Sequence, residues 1–314
     1  MGAETLSSRA VIGRFYKTLE QDIGASWISL VSNEFNSDQA SETYPWLGQV
    51  PAMREWIGGR QAKGFTENGI TIVNKHYEAT LEILKREMRR DKTGQIMARV
   101  DEFAQRANAH WASLLSTLII NGESTACYDG QYFFDTDHAE ADSGTQSNDI
   151  SVDISALATA AHGSTTAPSV GEMQQVILQA VQAIYGFKDD RGEPMNENAS
   201  SFLVMVPVSL MHVALSAASL PMVDNGNSNL IPSADFRIRV VPNARLTWTD
   251  KLAVFRADSG IKPLIRQQET PVDLKVKAEG SEFEFDYDAH QYGIDTWRNV
   301  GYGLWQHACL ATMA

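Results

Sequence analysis

The segment YDGQYFFDTDH, residues 128–138, holds the densest group of side chains in this chain that could do chemistry. Asp129, Asp135, Asp137 and His138 all fall within it. Carboxylates and imidazoles bind divalent metals and act as acids or bases in hydrolysis. One hypothesis is therefore a metal-dependent hydrolase built on these four residues.

The local context of the same segment favours a structural role. A catalytic metal site usually draws its ligands from several elements, whereas these acids come from one short stretch. Asp129 precedes a glycine, which is a typical turn dipeptide, and Asp135 and Asp137 can bond to nearby backbone amides. We therefore favour a short strand around Phe133, flanked by turns that aspartates stabilise. On this interpretation the chain has no catalytic residue, no metal site and no cofactor.

The rest of the sequence contains none of the common catalytic motifs. The other histidines lack the HExxH spacing of zinc hydrolases, and no nucleophile elbow, phosphate-binding loop or dinucleotide-binding glycine pattern is present. Cys127 and Cys309 have no basic neighbour in sequence that would favour a reactive thiolate, so we interpret them as packed small residues. We likewise expect Trp111, Trp297 and Trp305 in the core.

Composition and charge narrow the class of protein. The chain has 314 residues and is 43% hydrophobic, which suits one large or two modest domains. Its net charge of -13 disfavours tight binding to nucleic-acid phosphates. The start lacks a signal sequence, the apolar runs are too short to span a bilayer, and two cysteines make no disulfide framework. We therefore expect a soluble cytoplasmic product with no membrane partner.

A long helix is the clearest predicted element. In QIMARVDEFAQRANAHWASLLSTLIIN the apolar side chains recur every three or four residues, and Gly122 is a natural stop. At 1.5 Å per residue this helix would be about 40 Å long, which suits the spine of an elongated molecule. The apolar positions are Val100, Phe103, Ala107, Trp111, Leu114 and Leu118.

Before the spine helix, the sequence predicts an N-terminal helix and a protruding hairpin. Ser7 and Ser8 are candidate N-caps for a helix with apolar residues at Ile12 and Phe15. The strict alternation in YEATLEI, residues 77–83, predicts a strand with one wet face. We interpret residues 50–84 as an extended β-hairpin whose polar, glycine-rich middle gains stability only by lying on another surface.

After the acid cluster, the sequence predicts an α/β insert and then a mainly β return. Ser169 and Glu172 form a capping box at the start of a helix. SSFLVMVP and DFRIRVVPN predict strands, and PVSLMHVALSAAS predicts a helix between them. KLAVFRA, VDLKVKA, EFEFDYDAHQYGIDTW and YGLWQHACLATM then predict strands near the end of the chain.

The order of these parts resembles the major capsid proteins of tailed phages, which share the Hong Kong 97 fold. The resemblance is closer still to the major head subunits of Mu-like phages. It rests on motifs spread over most of the chain: MREWIGGR (53–60), NKHYEATLEI (74–83), RRDKTGQI (89–96), NGESTACYDGQYFFDTDH (121–138) and YGIDTWRNVGYGLWQHA (292–308).

The resemblance implies an α+β, Hong Kong 97-like capsid fold, which combines an arm, an extended loop and two domains. The implied parts are an N-terminal arm (1–49), an extension loop (50–84), a peripheral domain with the spine helix (85–150), an axial domain (151–245) and peripheral return strands (246–314). The extension loop would lie over a neighbouring subunit. The implied assembly contacts on this loop are Arg54, Glu55, Trp56, Arg60, Lys63 and Phe65.

The resemblance also implies a function. The chain would be a major capsid protein, not an enzyme, that assembles with itself into pentamers and hexamers of an icosahedral head. This head would enclose double-stranded DNA without sequence-specific binding, and an acidic lining would repel that DNA. The protein would be made in the bacterial cytoplasm and end in the virion.

Other partners follow from the same resemblance. The expected partners are a head protease, a portal protein and, because the predicted arm begins almost at Met1, a separate scaffolding protein. A decoration protein is a further option. Two alternatives stay open at this point: the metal-dependent hydrolase, and another phage structural part such as a tail or connector protein.

Overall fold

The fold of the chain combines two main sheets with packed helices, which confirms the predicted α+β class. Among the described residues, no helix has both the length and the apolar character needed to cross a membrane. The computed structural model describes residues 7–21, 24–44, 69–91, 93–159, 161–223 and 226–314.

The helices vary from single turns to the long spine helix α4. They are α1 (Ser8–Gln21), α2 (Ile28–Val31), α3 (Lys85–Arg90), α4 (Gln95–Ile120), α5 (Val170–Gly186), α6 (Met211–Ser219) and α7 (Glu282–Tyr287).

The strands are mostly short, except for one long hairpin near the end of the chain. They are β1 (Ser32–Asn36), β2 (Ser41–Tyr44), β3 (Ile70–Val73), β4 (Lys75–Leu84), β5 (His138–Ala139), β6 (Thr145–Gln146), β7 (Asp149–Val152), β8 (Ser201–Val206), β9 (Met222–Val223), β10 (Asn227–Ser228), β11 (Arg237–Pro242), β12 (Lys251–Arg256), β13 (Leu264–Lys277), β14 (Ala289–Tyr302) and β15 (Ala308–Met313).

The four-stranded sheet has the order β1-β13-β14-β4. β1 runs parallel to β13, and the other pairs are antiparallel. β13 and β14 form a long hairpin, with α7 between them at its tip. The spine helix α4 packs on this sheet and on α1, around a small apolar cluster that includes Val11, Phe15 and Val100.

The five-stranded sheet has the order β11-β8-β12-β15-β7. Its outer pairs are parallel and its central pairs are antiparallel. Helices α5 and α6 pack against it. β8 and β12 are buried along almost their whole length, as expected of strands covered on both faces.

The strand pairing shows where the strands near the end of the chain lie. β12 and β15, which follow residue 245, pair within the five-stranded sheet. β13 and β14 pair in the four-stranded sheet, on which the spine helix packs. The limits of the peripheral and axial domains stay a prediction.

The spine helix is confirmed, but its buried face is broader than predicted. Val100, Ala107 and Trp111 are buried as expected, whereas three predicted core residues are only half-buried. The helix is flanked by both α1 and the sheet, so additional small side chains meet these neighbours. The half-buried residues are Phe103, Leu114 and Leu118, and the additional buried ones include Ala104, Leu115 and Ile119.

Within the described residues of the predicted hairpin 50–84, the two strands have their partners outside the hairpin. β4 pairs with β14, so its alternating sequence belongs to an edge strand of the four-stranded sheet. β3 instead pairs with β2, where Tyr44 lies opposite Ile70. In sequence, residues 45–68 lie between these two strands. We call the antiparallel pair β2 and β3 the loop base. The extent of the extension loop itself remains a prediction.

The segment EFEFDY forms α7, although its alternation predicted a strand. The hydroxyl of Ser281 accepts a hydrogen bond from the amide of Glu284 at 3.2 Å. The Glu284 carboxylate accepts one from the amide of Gly280 at 2.7 Å. These caps satisfy amides at the helix start, and they outweigh the weak strand preference of an exposed aromatic pattern.

Candidate functional site

His138 lies at the centre of the segment that carries the acid cluster. Its ring is fully buried and stacks on the indole of Trp305, with the ring centroids 4.0 Å apart. Its Nδ1 lies 2.6 Å from Oδ2 of Asp129, and its Nε2 lies 3.2 Å from Oδ1 of Asn148. Both ring nitrogens therefore lie within hydrogen-bonding distance of a side-chain oxygen.

The amide of Asn148 fixes this arrangement. Its Nδ2 donates to the carbonyl oxygens of Phe133 at 2.8 Å and of Trp305 at 3.4 Å. Its Oδ1 accepts from the backbone amide of Asp135 at 2.9 Å. Because carbonyl oxygens take both donor hydrogens, the oxygen must be the atom that faces His138. Asn148 thus ties the acid cluster to the turn that precedes β15.

Asp135 and Asp137 hold their carboxylates in different surroundings. Asp135 accepts from the backbone amides of Thr136 at 2.7 Å and of Tyr132 at 3.0 Å. Desolvation acts to raise the pKa of Asp135, but these amides, Asp137 and the nearby imidazole together hold that pKa below its usual value. Asp137 is exposed, and desolvation followed by the adjacent Asp135 carboxylate raises its pKa.

A second group of buried polar atoms extends this network. The hydroxyl of Tyr128 donates to Glu140 at 2.5 Å, and Nε2 of Gln306 donates to that hydroxyl at 3.0 Å. Desolvation by burial raises the pKa of both Glu140 and Tyr128. Sequence reasoning missed Glu140, Asn148 and Gln306, since only folding brings these separated positions together. No spacing rule connects them.

The geometry of the acid cluster suits a structural joint better than a metal centre. The predicted turn is present: Gly130 has a φ of +89°, and the amide of Gln131 donates to Asp129 at 3.2 Å. Three of the four proposed ligands bond to backbone amides or to each other, and the fourth, Asp137, is exposed. Within the described ranges, no three His, Cys, Asp or Glu side chains are grouped so that they could hold a metal ion.

The predicted strand around Phe133 is wrong, because its two aromatic residues anchor an irregular segment. The Phe133 ring stacks on Tyr302 of β14, with centroids 4.6 Å apart. The amide of Phe134 donates to the carbonyl of Gly122 at 2.9 Å. A Cβ at Gly122 would lie 2.4 Å from the Phe134 ring, so glycine is required at the end of the spine helix. The segment therefore joins the spine helix to β14 and β15.

The cysteines have the environment expected of packed residues. Cys127 and Cys309 are both buried and unpaired. Burial raises the pKa of each thiol, with nearby Asp129 adding to the effect at Cys127 and Asp149 at Cys309. A thiol that resists ionisation is a poor nucleophile, so these side chains have a packing role.

The tryptophan predictions are confirmed for two of the three residues. Trp305 is fully buried, and Trp111 is buried between the guanidinium groups of Arg298 and Arg266, at 4.6 and 5.4 Å from its ring centroid. Trp297 is 39% exposed, so its assignment to the core is wrong. It lies on the outer face of β14, where it stacks on His76.

The loop base is held to the four-stranded sheet by a buried amide. Gln267 of β13 is fully buried, and its Oε1 accepts from the hydroxyl of Tyr44 at 2.8 Å. Its Nε2 donates to the carbonyl of Ile72 at 3.1 Å and to Oδ1 of Asn74 at 2.8 Å. One side chain thereby fixes both ends of the segment 45–68. The six predicted assembly contacts, Arg54, Glu55, Trp56, Arg60, Lys63 and Phe65, lie outside the described residues.

Two curated relatives are similar to part of this chain. The Mu-like prophage FluMu major head subunit of Haemophilus influenzae is 39% identical over 108 residues, which is 34% of this chain and 35% of that protein. The major capsid protein of Escherichia phage Mu is 35% identical over 103 residues, which is 33% of this chain and 34% of that protein. The matched part therefore spans about a third of either relative.

The fold is shared with a phage capsid protein of known structure. A chain of the procapsid of bacteriophage JBD30 superposes with a TM-score of 0.54 and 23% identity, covering 97% of this chain and 74% of the other. The Hong Kong 97-like fold is thus confirmed. The model of the family described as Mu-like prophage major head subunit gpT matches residues 8–162 and 239–313. Because these residues make up more than half of the sequence, the chain belongs to the Mu-like prophage major head subunit family.

Proposed function

We propose that this chain is a major capsid protein that assembles with copies of itself into the pentamers and hexamers of an icosahedral phage head. The observation that carries the proposal is the coincidence of the family match with a capsid-protein fold over nearly the whole chain. The matched relatives are named a major head subunit and a major capsid protein, and the matched structure is a procapsid. The enclosed cargo would be double-stranded DNA.

The physical properties of the chain support a structural role. The loop base, β2 paired with β3, is tied to the four-stranded sheet by Gln267, which supports a role for the intervening segment as an arm. The net charge of -13 favours weak contact with enclosed DNA over tight binding. The protein would act as part of the virion rather than as an enzyme, after synthesis in the cytoplasm of the bacterial host.

The metal-dependent hydrolase is not favoured by the site geometry. Asp129 and His138 bond to each other, and Asp135 bonds to backbone amides, so little donor capacity is left for a shared ion. The joint of which they are part links the spine helix to both sheets. This arrangement supports a conformational rather than a chemical role for the cluster.

The remaining partners are part of the same proposal. A separate scaffolding protein and a head protease would act during assembly, and a portal protein would occupy one vertex. A decoration protein is an option for the finished shell. The assembly contacts of the extension loop would be Arg54, Glu55, Trp56, Arg60, Lys63 and Phe65, as the family resemblance implies.

The extension loop provides the most direct test. A variant that lacks residues 59–69 should keep the circular dichroism spectrum of the full chain, since the deletion avoids both main sheets. It should sediment only as small species, whereas the full chain forms shells with or without co-expressed scaffold. Trp56→Ala is a milder version of the same change. Normal shells from the deletion variant would contradict the role of the loop.

Metal analysis separates the capsid proposal from the hydrolase. Protein purified without chelator should carry less than one divalent ion per chain, and Asp137→Ala should leave that content unchanged. Stoichiometric metal that Asp137→Ala removes would instead revive the hydrolase.

A further inference from the structure

The tip of the β13–β14 hairpin exposes an unusual set of side chains. Phe285 of α7 is 91% exposed and Tyr287 is 64% exposed. Glu282 and Asp286 on the same short helix are exposed as well. Exposed apolar groups with a polar rim often mark contact surfaces, and here two acidic side chains lie beside the aromatic ones, with Lys277 of β13 as the basic residue on the same surface. We call the two aromatic and the two acidic residues the acidic tip.

A surface of opposite character lies where α3 meets α4. Arg86, Arg90 and Arg99 are all exposed and line a surface cavity of about 480 Å³. The buried side chain of Ile96 lines the same cavity, which gives it an apolar part. Asp91 also lines it but uses its carboxylate to cap α4, accepting from the amide of Ile96 at 2.9 Å. We call this cavity the arginine corner.

The acidic tip and the arginine corner are neighbours within one chain but do not touch through these side chains. Lys85, the first residue of α3, pairs with Glu284 of α7, and its amide donates to the carbonyl of Asp288 at 2.9 Å. The two elements are therefore fixed side by side at one end of the sheet. Phe285 nevertheless remains almost fully exposed, so none of the residues that the structure describes covers it.

We infer that the acidic tip of one copy docks into the arginine corner of a second copy of this chain. The charges are complementary, and arginine rims are well suited to aromatic side chains, which they contact through their planar guanidinium groups. One exposed acidic side chain, Glu87, also lines the arginine corner and would repel the acidic tip. The three exposed arginines outnumber it. The contact is heterologous, because the two surfaces differ.

A heterologous contact between adjacent surfaces has a geometric consequence. When each copy offers its tip to the next and receives a tip from the previous one, the contacts form a ring if the rotation between copies closes, and an open chain if it does not. Such a ring needs no residue of the extension loop. This inference rests on the proposed capsid function, and it adds a second contact between subunits that is independent of the loop.

Disulfide trapping between copies tests the contact directly. Asp286→Cys and Arg90→Cys are made in separate chains that carry tags of different mass, and the two are co-assembled and oxidised with copper phenanthroline. A covalent dimer of mixed tags is expected in the mixture, and none from either variant alone. The native cysteines do not interfere, because Cys127 and Cys309 are buried. Ser228→Cys, at an exposed strand in the other half, replaces Asp286→Cys as the matched control.

Charge reversal gives a second, independent readout. Glu282→Lys with Asp286→Lys, or Arg86→Glu with Arg90→Glu, should each slow assembly by about tenfold or more, as the loss of electrostatic steering predicts. The two reversed chains mixed together should recover much of the rate. Unchanged rates in both reversed chains would overturn the inference.

The outcomes distinguish this inference from the capsid function itself. Normal shells without the mixed disulfide would overturn the contact and leave the capsid function intact. A wild-type chain that forms neither shells nor the mixed disulfide would overturn both. If Arg86→Glu with Arg90→Glu removes co-purifying nucleic acid but assembles normally, the corner is a phosphate-binding surface and the inference is wrong.

Discussion

The two sheets of this protein differ in how they are stabilised. In the five-stranded sheet, β8, β12 and β15 are buried along almost their whole length, and α5 packs on β12 and β15. In the four-stranded sheet, β4 and the far half of β13 alternate between sheltered and exposed residues. The first sheet is part of the larger apolar core. The second combines long backbone ladders with a smaller apolar cluster beneath α1 and α4, and β4 carries many exposed side chains.

Polar pairs on the four-stranded sheet add little to its stability. Lys275 lies 2.7 Å from Asp295, and His76 lies 3.4 Å from the same carboxylate, but these side chains are partly exposed. Exposed ion pairs typically contribute between about 0 and 1 kcal/mol. The comparison suggests a division of roles that follows from the proposed function: the five-stranded sheet supplies most of the apolar core, and the four-stranded sheet would supply surfaces for other copies.

A core truncation should show the largest contrast between the regions. Phe255→Ala in β12 removes a fully buried ring, so we expect the free energy of unfolding to fall by about 4 kcal/mol. Phe285→Ala at the acidic tip should change it by less than about 0.5 kcal/mol, since that ring is exposed. Urea unfolding of unassembled protein measures both. Similar losses for the two variants would contradict the division of roles.

The joint between the regions should be nearly as sensitive. His138→Ala leaves the buried carboxylate of Asp129 without its partner and removes the stack on Trp305. We expect a loss of about 3 kcal/mol, as for other broken buried pairs. The side chain of Asp137, the residue before His138, is exposed. Asp137→Ala should therefore lower the free energy of unfolding by less than about 0.5 kcal/mol in the same assay. A larger effect from Asp137→Ala would indicate that the cluster does something other than join the two sheets.

Acid should lower the free energy of unfolding through two histidines. His307 lies next to β15 of the five-stranded sheet, and His110 lies on α4, which packs on the four-stranded sheet. Burial lowers the pKa of His307 and of His110 to about 4, and neighbouring arginines add to this effect. Between about pH 4 and the usual histidine pKa of about 6.5, the unfolded chain binds protons that the folded chain does not. Stability should therefore fall as the pH drops from about 6.5 to about 4.

The size of this loss should differ between the two histidines. His307 is almost fully buried, and we expect it to account for about 2 kcal/mol, which His307→Gln should remove from the pH dependence. His110 is only half-buried, so His110→Gln should flatten the slope less. Thermal unfolding across this pH range measures both slopes. A flat profile in the unmodified chain would refute the prediction.

Removing the N-cap of α5 or of α1 should give the smallest difference in the free energy of unfolding between two variants. Ser169 accepts from the amide of Glu172 at 3.2 Å within a complete capping box, and Ser169→Ala should cost about 1 kcal/mol. Ser7 caps α1 through a longer bond of 3.4 Å to Ala10, so Ser7→Ala should cost only about 0.3 kcal/mol. Urea titrations of the two variants under the same conditions measure both free energies of unfolding. Equal costs would show that cap geometry does not decide the difference.

Local features of the fold were predictable because neighbouring residues encode them. The spine helix followed from apolar spacing, and the capping box at Ser169 and Glu172 formed as the motif indicates. The turn at Gly130 and the packed state of both cysteines were also predicted. The helix, the capping box and the turn depend on residues that are close together in sequence. The burial of the cysteines depends on the low polarity of their side chains.

Features that depend on distant partners were not predictable. The partner of β4 is β14, which lies more than two hundred residues further along the chain. The sequence of either strand by itself does not specify this pairing. Asn148 and Trp305 complete the joint around His138 from separate segments. The segment EFEFDY became a helix because Ser281 and Glu284 supply caps that an alternating pattern conceals. Contacts between distant segments thus decided the strand order and the surroundings of His138.

The most direct test of the central claim is light scattering on recombinant protein separated by size, followed by negative-stain electron microscopy of every peak. The account predicts pentamers, hexamers, sheets or closed shells, formed alone or with co-expressed scaffold. A stable monomer or small dimer under both conditions would contradict assembly into a capsid.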